Sequence, residues 1–330
     1  AYKKNFGSNQ NVRVDMNKVT GELHIYAQRH IVAEVGDDPN EISLEEARKI
    51  DPRYEVDDIV ETEVTPRNFG RIAAQNAKQV VVQRIREAER GMVFEKFSSR
   101  ENDIVTGIIQ RMENKNVYID LGKAEAILTP NEQIPGEIYQ YHDRMKTYIV
   151  EVKKTSKGPQ IMVSRTHPGL LKRLFELEVP EIHDGLVEIK SVAREPGMRS
   201  KISVYTKDEN IDPVGACVGH KGMRVQTIVN ELRGEKIDIV KYSSEPDQYV
   251  ANALSPAKVV STEVLEEEKI CRVIVPDYQL SLAIGKEGQN ARLAAKLTGW
   301  KIDIKSESQA AEEAEQGAQE VGVAYEADED

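Results

Sequence analysis

The feature that most constrains this chain is a glycine-bounded loop that occurs twice in the second half of its 330 residues. The two G-x-x-G motifs, the first loop at 219–222 and the second loop at 285–288, each follow an apolar residue and precede a helix-forming run. Each run ends at a glycine, after which the tetrapeptide Lys-Ile-Asp-Ile follows, at 236–239 and at 301–304. One G-x-x-G is a weak signal, but two patterns that recur together at nearly fixed spacing indicate a duplicated structural unit.

A loop of this kind at the start of a helix is suited to an anion. Backbone N–H groups without intrahelical acceptors lie there, and the helix dipole adds partial positive charge. Glycine at both ends lets a nucleic-acid backbone approach without a Cβ in the way, and Lys221 and Lys286 add positive charge. A nucleotide P-loop and a dinucleotide-binding motif need glycine spacings that neither copy has. A helical corner without a ligand stays open as the alternative.

The order helix, G-x-x-G, helix and β-strand resembles the KH module, which clamps about four nucleotides at this loop. The resemblance implies that side chains and backbone of both loops and of the helices after them contact RNA. These candidate RNA-binding residues are Gly219, His220, Lys221, Gly222 and Arg224 in the first copy, and Gly285, Lys286, Gly288, Gln289 and Arg292 in the second. Glu287 at the tip of the second loop should repel a phosphate, so we expect the first loop to bind RNA more tightly.

Short β-forming runs at close spacing between residues 98 and 167 predict a small five-stranded barrel. This region resembles the S1-type OB-fold RNA-binding domain, which is repeated in the largest small-subunit ribosomal protein. An aromatic residue on the second strand faces RNA in that family, and Tyr118 holds the matching position. Stacking of a base on such a ring contributes roughly 1–3 kcal/mol. The alternative is that Tyr118 only covers the barrel surface.

The first 97 residues predict an α/β domain that ends in a long connecting helix. A hairpin comes first, strands are predicted at 31–35 and 59–64, and Ser43 begins a capping box for a short helix. Thr65 is expected to cap the long helix, with Pro66 in its first turn. An apolar stripe at helical spacing predicts that this helix packs on the core, and a partner-binding face is the alternative. The stripe consists of Ala73, Ala77, Val81, Ile85, Ala88 and Met92.

The charge distribution indicates how nucleic acid would be bound. The formal net charge is −11, but residues 306–330 hold nine acids and no base, and the rest of the chain carries −2. Residues 189–241, around the first loop, hold ten Lys/Arg against seven Asp/Glu. Contacts with nucleic acid should therefore be local rather than driven by a large positive field. The acidic end, which has few large apolar residues, should be disordered.

The composition also argues against several protein classes. No run of 18 apolar residues exists, so we expect no membrane-spanning segment and no membrane partner. Cys217 and Cys271, the only cysteines, are too few and too far apart for a zinc site or a disulfide framework, which favours a reducing cytoplasm. We expect no cofactor and no metal.

One barrel followed by two KH units, behind an N-terminal α/β domain, is similar to the bacterial NusA family of transcription elongation, termination and antitermination factors. The resemblance covers about residues 1–305 and is carried by FGRIAAQ at 69–75, VSRTHPG at 163–169, DPVGACVG at 212–219, QLSLAIGK at 279–286 and QNARLA at 289–294. It implies a multidomain α+β fold. The expected parts are an RNA-polymerase-binding domain with the connecting helix (1–97), an S1-type OB domain (98–167), a first KH domain (168–244), a second KH domain (245–305) and an acidic disordered tail (306–330).

By this resemblance the chain is expected to be a non-catalytic, monomeric, cytoplasmic factor. It would dock on RNA polymerase and hold nascent single-stranded RNA, with other Nus factors as further partners. By the same resemblance the N-terminal domain is expected to begin with further helices that contribute to polymerase docking. We expect this sequence to lack part of them before Ala1, so the resemblance does not fix its affinity for polymerase. Two alternatives are a translation or ribosome-assembly factor and an accessory protein of RNA degradation. Polynucleotide phosphorylase also combines KH and S1 modules, but it places them after two large catalytic domains.

Overall fold

The computed structural model describes residues 10–36, 38–66 and 69–313, and the chain forms two compact units, at 1–91 and at 92–330. Residues 1–6, which the sequence suggests are the end of a helix, lie outside the described residues. Within the described ranges, no helix is both long enough and apolar enough to cross a membrane.

The N-terminal unit is built on a four-stranded sheet whose central strand pairs with all three others. The strands are β1 (Asn11–Met16), β2 (Leu23–Val32), β3 (Glu41–Ser43) and β4 (Ile59–Glu63). Strands β1 and β4 run antiparallel to β2, and β3 runs parallel to it. The predicted separate strand at 31–35 is wrong, because its first residues continue β2. The strand that pairs with this end of β2 is β3, which has only three residues and is too short to show an alternating pattern in the sequence.

Helix α1 (Leu44–Ile50) starts as predicted, since the Ser43 hydroxyl accepts a hydrogen bond from the Glu46 amide at 3.2 Å. Helix α2 (Phe69–Ser98) is the long connecting helix. Pro66 is not helical, so Thr65 does not cap this helix and Pro66 does not lie in its first turn. The Thr65 hydroxyl instead accepts from the amide of Ile25 in the sheet.

The apolar stripe of α2 does not pack on a core along most of its length. The Val81 and Ile85 side chains are 56% and 52% exposed, and Met92 is 63% exposed. The prediction of a core-facing helix is therefore wrong for these residues. Only near its C-terminal end does α2 enter a core, where Phe97 is buried with the interior of the following barrel.

The barrel that follows is closed, in the order β5-β6-β7-β9-β8, and confirms the predicted five-stranded fold. Its strands are β5 (Ile104–Glu113), β6 (Asn116–Asp120), β7 (Glu125–Leu128), β8 (Arg144–Thr155) and β9 (Gly158–Ser164). Gly107 allows strands β5 and β6 to approach closely, because a Cβ there would lie 2.4 Å from the Ile119 side chain. Ile119 is fully buried at the centre of the barrel, together with Ile149 and Ile161.

Two copies of one α/β arrangement complete the C-terminal unit. The first repeat contains α3 (Pro168–Glu178), α4 (Pro180–His183), β10 (Val187–Glu195), β11 (Arg199–Thr206), α5 (Pro213–Val218), α6 (Met223–Glu231) and β12 (Lys236–Lys241). The second repeat contains α7 (Pro246–Ala253), β13 (Ser261–Leu265), β14 (Ile270–Val275), α8 (Leu280–Ile284), α9 (Gln289–Thr298) and β15 (Lys301–Ser306). In each repeat the middle strand pairs antiparallel with the first strand and parallel with the last.

The first residues of the acidic C-terminal segment are ordered, in contrast to the predicted disorder. Residues 307–313 are helical, so the expectation of disorder from residue 306 onward is wrong for this segment. The Ser308 hydroxyl donates to the Asp277 carboxylate at 2.9 Å, which ties the segment to the second repeat. Residues 314–330 lie outside the described part of the chain.

Buried polar contacts join the two repeats. The Lys201 ammonium, on β11 of the first repeat, donates to Asp238 and to the Ser255 carbonyl of the second repeat, each at 2.8 Å. Burial lowers the pKa of Lys201, and the nearby Asp238 carboxylate opposes this shift. The Tyr249 hydroxyl of the second repeat donates to the Ser203 hydroxyl of the first at 2.9 Å. The second repeat therefore covers the sheet of the first, and the two loops belong to one packed body.

Candidate nucleic-acid interface

The first loop follows directly from how α5 starts and ends. The Asp212 side chain caps α5 by accepting from the Val214 amide at 3.1 Å, and Pro213 occupies its first turn. The helix ends at Gly219, where φ is 75° and ψ is 176°. A Cβ at Gly219 would lie 2.6 Å from the Arg224 side chain, so the backbone conformation and the space both require glycine.

The second loop has the same backbone conformation. Gly285 has φ 77° and ψ 170°, and Glu287 has φ 53° and ψ 28°, against φ 50° and ψ 28° for Lys221. A Cβ at Gly285 would lie 2.8 Å from the backbone nitrogen of Asn290. Lys221 and Glu287 therefore occupy equivalent positions, and the loops differ in charge rather than in shape.

Both loops present backbone donors and cationic side chains. The second glycine of each loop donates its amide to the carbonyl of the first, at 3.1 Å in both copies. The amides of the two middle residues have no acceptor among the described residues. The side chains of His220, Lys221 and Lys286 are exposed and make no hydrogen bond or ion pair within the described ranges. An anion could reach all of these groups, and the first loop lacks the carboxylate that the second carries.

Arg224, a predicted RNA contact, faces the interior of its own repeat. Its guanidinium donates to the Ala216 carbonyl at 2.6 Å and to Glu181 at 2.9 Å. Asn290 holds the equivalent position in the second repeat, and its amide donates to the Ala283 carbonyl at 3.0 Å. Each side chain thus reaches back to the helix that enters the loop and braces the turn from inside. Sequence reasoning missed Asn290, although its offset from the first glycine is the same as that of Arg224.

Gln289 and Arg292, the other predicted contacts on α9, are bound to the first repeat. The Glu195 carboxylate accepts from the Arg292 Nε at 2.6 Å and from the Gln289 amide at 2.8 Å. Arg292 also donates to the carbonyl of Glu287 at the loop tip, at 3.1 Å. The hydrogen bond from Arg292 holds the pKa of Glu195 below its ordinary value, so the carboxylate is ionised at neutral pH.

Tyr118 lies on β6 of the barrel, separate from both loops, and is half-buried. The Arg111 guanidinium lies 4.0 Å from the centre of its ring, within the range of a cation–π contact. Arg111 is held there by Glu125, which accepts its hydrogen bond at 2.7 Å. One face of the predicted stacking platform is therefore covered by an arginine.

A cavity of mixed charge between the barrel and the first repeat was not predicted from the sequence. It has a volume of about 360 Å³, and its lining includes four basic residues, Arg144, Lys146, Arg165 and Arg233, and two acidic residues, Glu178 and Glu231. The sequence gives no local pattern for this cavity, because its lining residues come from separate elements of two domains. Arg144 and Arg233 are exposed at this cavity.

No cluster of three or more metal-ligating side chains occurs within the described ranges. Cys217 and Cys271 are both buried and unpaired. Burial raises the pKa of the Cys217 thiol to about 12, so this cysteine is unreactive in the folded state.

Comparison with known proteins places these elements in one family. Four family models match, described as the NusA N-terminal domain (1–91), the S1 RNA binding domain (98–164), the NusA-like first KH domain (165–242) and the NusA-like second KH domain (246–312). A protein from Halalkalibacterium halodurans, named transcription termination/antitermination protein NusA, is 68% identical over 94% of this chain and 81% of its own length. The chain belongs to the NusA family. A Bacillus subtilis NusA protein of the same name is 67% identical over 94% of this chain and 84% of its own length.

Among solved structures, the N-terminal domain of NusA from Bacillus subtilis is 61% identical, with a TM-score of 0.24. The match covers 27% of this chain and 72% of the solved chain. The family matches confirm the NusA resemblance and the fold class, with the barrel as the S1 domain and the two repeats as KH domains.

Proposed function

We propose that this chain is a non-catalytic RNA-binding transcription factor that holds nascent single-stranded RNA while docked on RNA polymerase. It would thereby modulate pausing, termination and antitermination. The observation that carries the RNA-binding role is the first KH loop, which exposes two backbone amides, His220 and Lys221 in a glycine-bounded turn. Relatives that are about two-thirds identical are named as transcription termination/antitermination proteins.

The RNA contacts divide unequally between the two KH loops in this proposal. The first loop supplies the tighter site, because Lys221 occupies the position at which the second loop has Glu287. Gly219, Gly222, Gly285 and Gly288 act through the backbone conformation that they allow. Lys286 is the exposed cation of the second loop.

Arg224 contributes by bracing the first loop rather than by touching RNA, because its guanidinium is already bound to Ala216 and Glu181. Tyr118 offers the S1 domain a weaker stacking site, since a base must share its ring with Arg111 or displace it. The strand held by the KH loops would therefore meet the S1 domain as an auxiliary surface.

RNA polymerase and other Nus factors are the proposed protein partners, with the N-terminal unit as the part that meets polymerase. The factor would act as a monomer in the cytoplasm, where two buried free cysteines suit a reducing environment. A ribosomal role would instead require this chain to co-purify with ribosomes. Affinity capture from growing cells, followed by probing for polymerase subunits and ribosomal proteins, separates the two.

The decisive experiment measures RNA affinity by fluorescence anisotropy, with a single-stranded RNA and the matching DNA. The double variant His220→Asp/Lys221→Asp should weaken RNA binding about tenfold or more, because it replaces a phosphate-binding charge with two carboxylates. The control variant Lys18→Asp/Lys49→Asp, in the N-terminal unit, should bind as the unchanged protein does. If the loop variant keeps its affinity and its fold, the KH loops are structural and the proposal is wrong.

A further inference from the structure

The hairpin between β10 and β11 presents a carboxylate to the second KH loop from the first KH domain. Arg194, next to Glu195, forms a fully buried two-pronged pair with Glu235, at 2.8 and 2.9 Å. The Gly197 amide in the turn also donates to Glu235, at 2.9 Å. A Cβ at Gly197 would lie 2.5 Å from Ile134 of the S1 domain. The hairpin tip is therefore fixed from two sides, and Glu195 projects from a rigid base.

Glu195 accepts hydrogen bonds from two side chains of α9 whose donors could equally bind phosphate oxygens. One of its oxygens accepts from the guanidinium of Arg292 and the other from the amide of Gln289. Arg292 is also hydrogen-bonded to the carbonyl of Glu287, so its guanidinium lies beside the loop tip. An anion that reached the second loop would meet these donors already occupied.

We propose that Glu195 is a specificity determinant that fills the phosphate position beside the second KH loop, so that RNA binds there only by displacing it. This inference rests on the proposed RNA-binding function. The second loop is then a weak site. An RNA strand that is already bound at the first loop fills it, because the rest of that strand is held at a high effective concentration near the second loop. The protein would favour RNA long enough to span both KH domains.

The degree of exposure supports an exchange rather than a permanent lock. The Arg292 side chain is 47% exposed and the Glu195 side chain 17% exposed. Solvent-exposed ion pairs couple weakly, by about a two- to fivefold change in an equilibrium constant, and the half-exposed Arg292 side chain brings this pair toward that range. A phosphate can therefore compete for Arg292 without disrupting the domain interface, which is held by the buried contacts of Lys201 and Tyr249.

The test uses Glu195→Gln, which keeps an acceptor for Arg292 but removes the negative charge. The full chain is titrated by anisotropy with two labelled RNAs. The short RNA has about four nucleotides, which is the span of one KH loop, and the long RNA has about twelve. For the longer RNA we expect about two- to fivefold tighter binding. The slope of log affinity against log salt should steepen by about 0.7, the value for one more neutralised phosphate on a single strand. The short RNA should change by less than about twofold.

Two further variants make the result specific to this contact. Glu263→Gln makes the same charge change at an exposed pair with Arg272 in the second KH domain, and it should leave both affinities unchanged. Adding Arg292→Gln to Glu195→Gln should abolish the gain for the longer RNA.

Three results would overturn the inference. Unchanged affinity and salt slope in Glu195→Gln would show that no phosphate competes with the carboxylate. Weaker binding of both RNAs would show that Glu195 only positions α9. Insensitivity of the wild-type affinity to His220→Asp/Lys221→Asp would refute the proposed function as well, whereas the first two results leave that function intact.

Discussion

Replacement of Arg165 by alanine should destabilise the C-terminal unit far more than the loss of a surface arginine. Arg165 follows β9 and its side chain is 1% exposed. The guanidinium donates to Glu137, whose side chain is 2% exposed, and to the backbone carbonyls of Lys146 and Glu231, at 2.8 and 2.9 Å. The residue thus connects the S1 domain to α6 of the first KH domain.

The magnitude follows from what the substitution leaves behind. Removal of one partner from a buried ion pair costs about 3–5 kcal/mol, because the remaining charge is buried without compensation. Glu137 keeps one hydrogen bond from the Tyr139 hydroxyl at 2.8 Å and a distant contact with Arg233 at 4.0 Å. These contacts place the expected loss near the lower end, at about 3 kcal/mol. Arg165→Met/Glu137→Leu removes both charges and should recover most of that loss.

Urea unfolding followed by circular dichroism, with linear extrapolation, measures this difference. The control is Arg84→Ala, because that side chain is 80% exposed and its pair with Glu87 should contribute less than about 1 kcal/mol. The reasoning fails if Arg165→Ala costs no more than the control. It also fails if the double variant is less stable than Arg165→Ala alone, since the buried charge would then not be the source of the loss.

Three further predictions concern single positions. Gly285→Ala should lower the melting temperature more than Gly288→Ala, because both have positive φ but only the Cβ at 285 meets backbone atoms; equal losses would contradict this. The hydrogen bond with Glu63 raises the pKa of His24, so by NMR titration Glu63→Gln should lower that pKa. A raised pKa stabilises the fold below the unfolded-state pKa, and this contribution is lost as pH rises through the folded-state pKa. Cys217 should react with a thiol reagent only as the protein unfolds, and a fast native-state reaction would show that it is accessible.

The sequence predicts the two loops well because their determinants are local. A glycine at the end of a short helix, with a second glycine three residues later, specifies positive φ at both positions, and the structure has it in both copies. The barrel strands are similarly local, since alternating burial follows directly from alternating residue type along β6 and β7.

The failures arise where a side chain's partner is distant in sequence. Gln289 and Arg292 look like free donors on an exposed helix, but Glu195 lies more than 90 residues earlier in the chain. The stripe on α2 shows the same limit, because helical spacing identifies an apolar face without specifying what covers it.

The repeat itself shows why equivalent residues need not have equivalent roles. Lys201 pairs in register with Asp238 in the first KH domain, and Arg272 pairs with Asp303 in the second. Lys201 is fully buried and donates to a carbonyl of the second domain, whereas the Arg272 side chain is 53% exposed. The difference arises from order along the chain, because the second domain covers the sheet of the first. The same order brings Glu195 against α9, the helix that follows the second loop, and Arg292 of α9 pairs with this carboxylate of the first KH domain. Lys221 of the first loop has no such partner within the described residues.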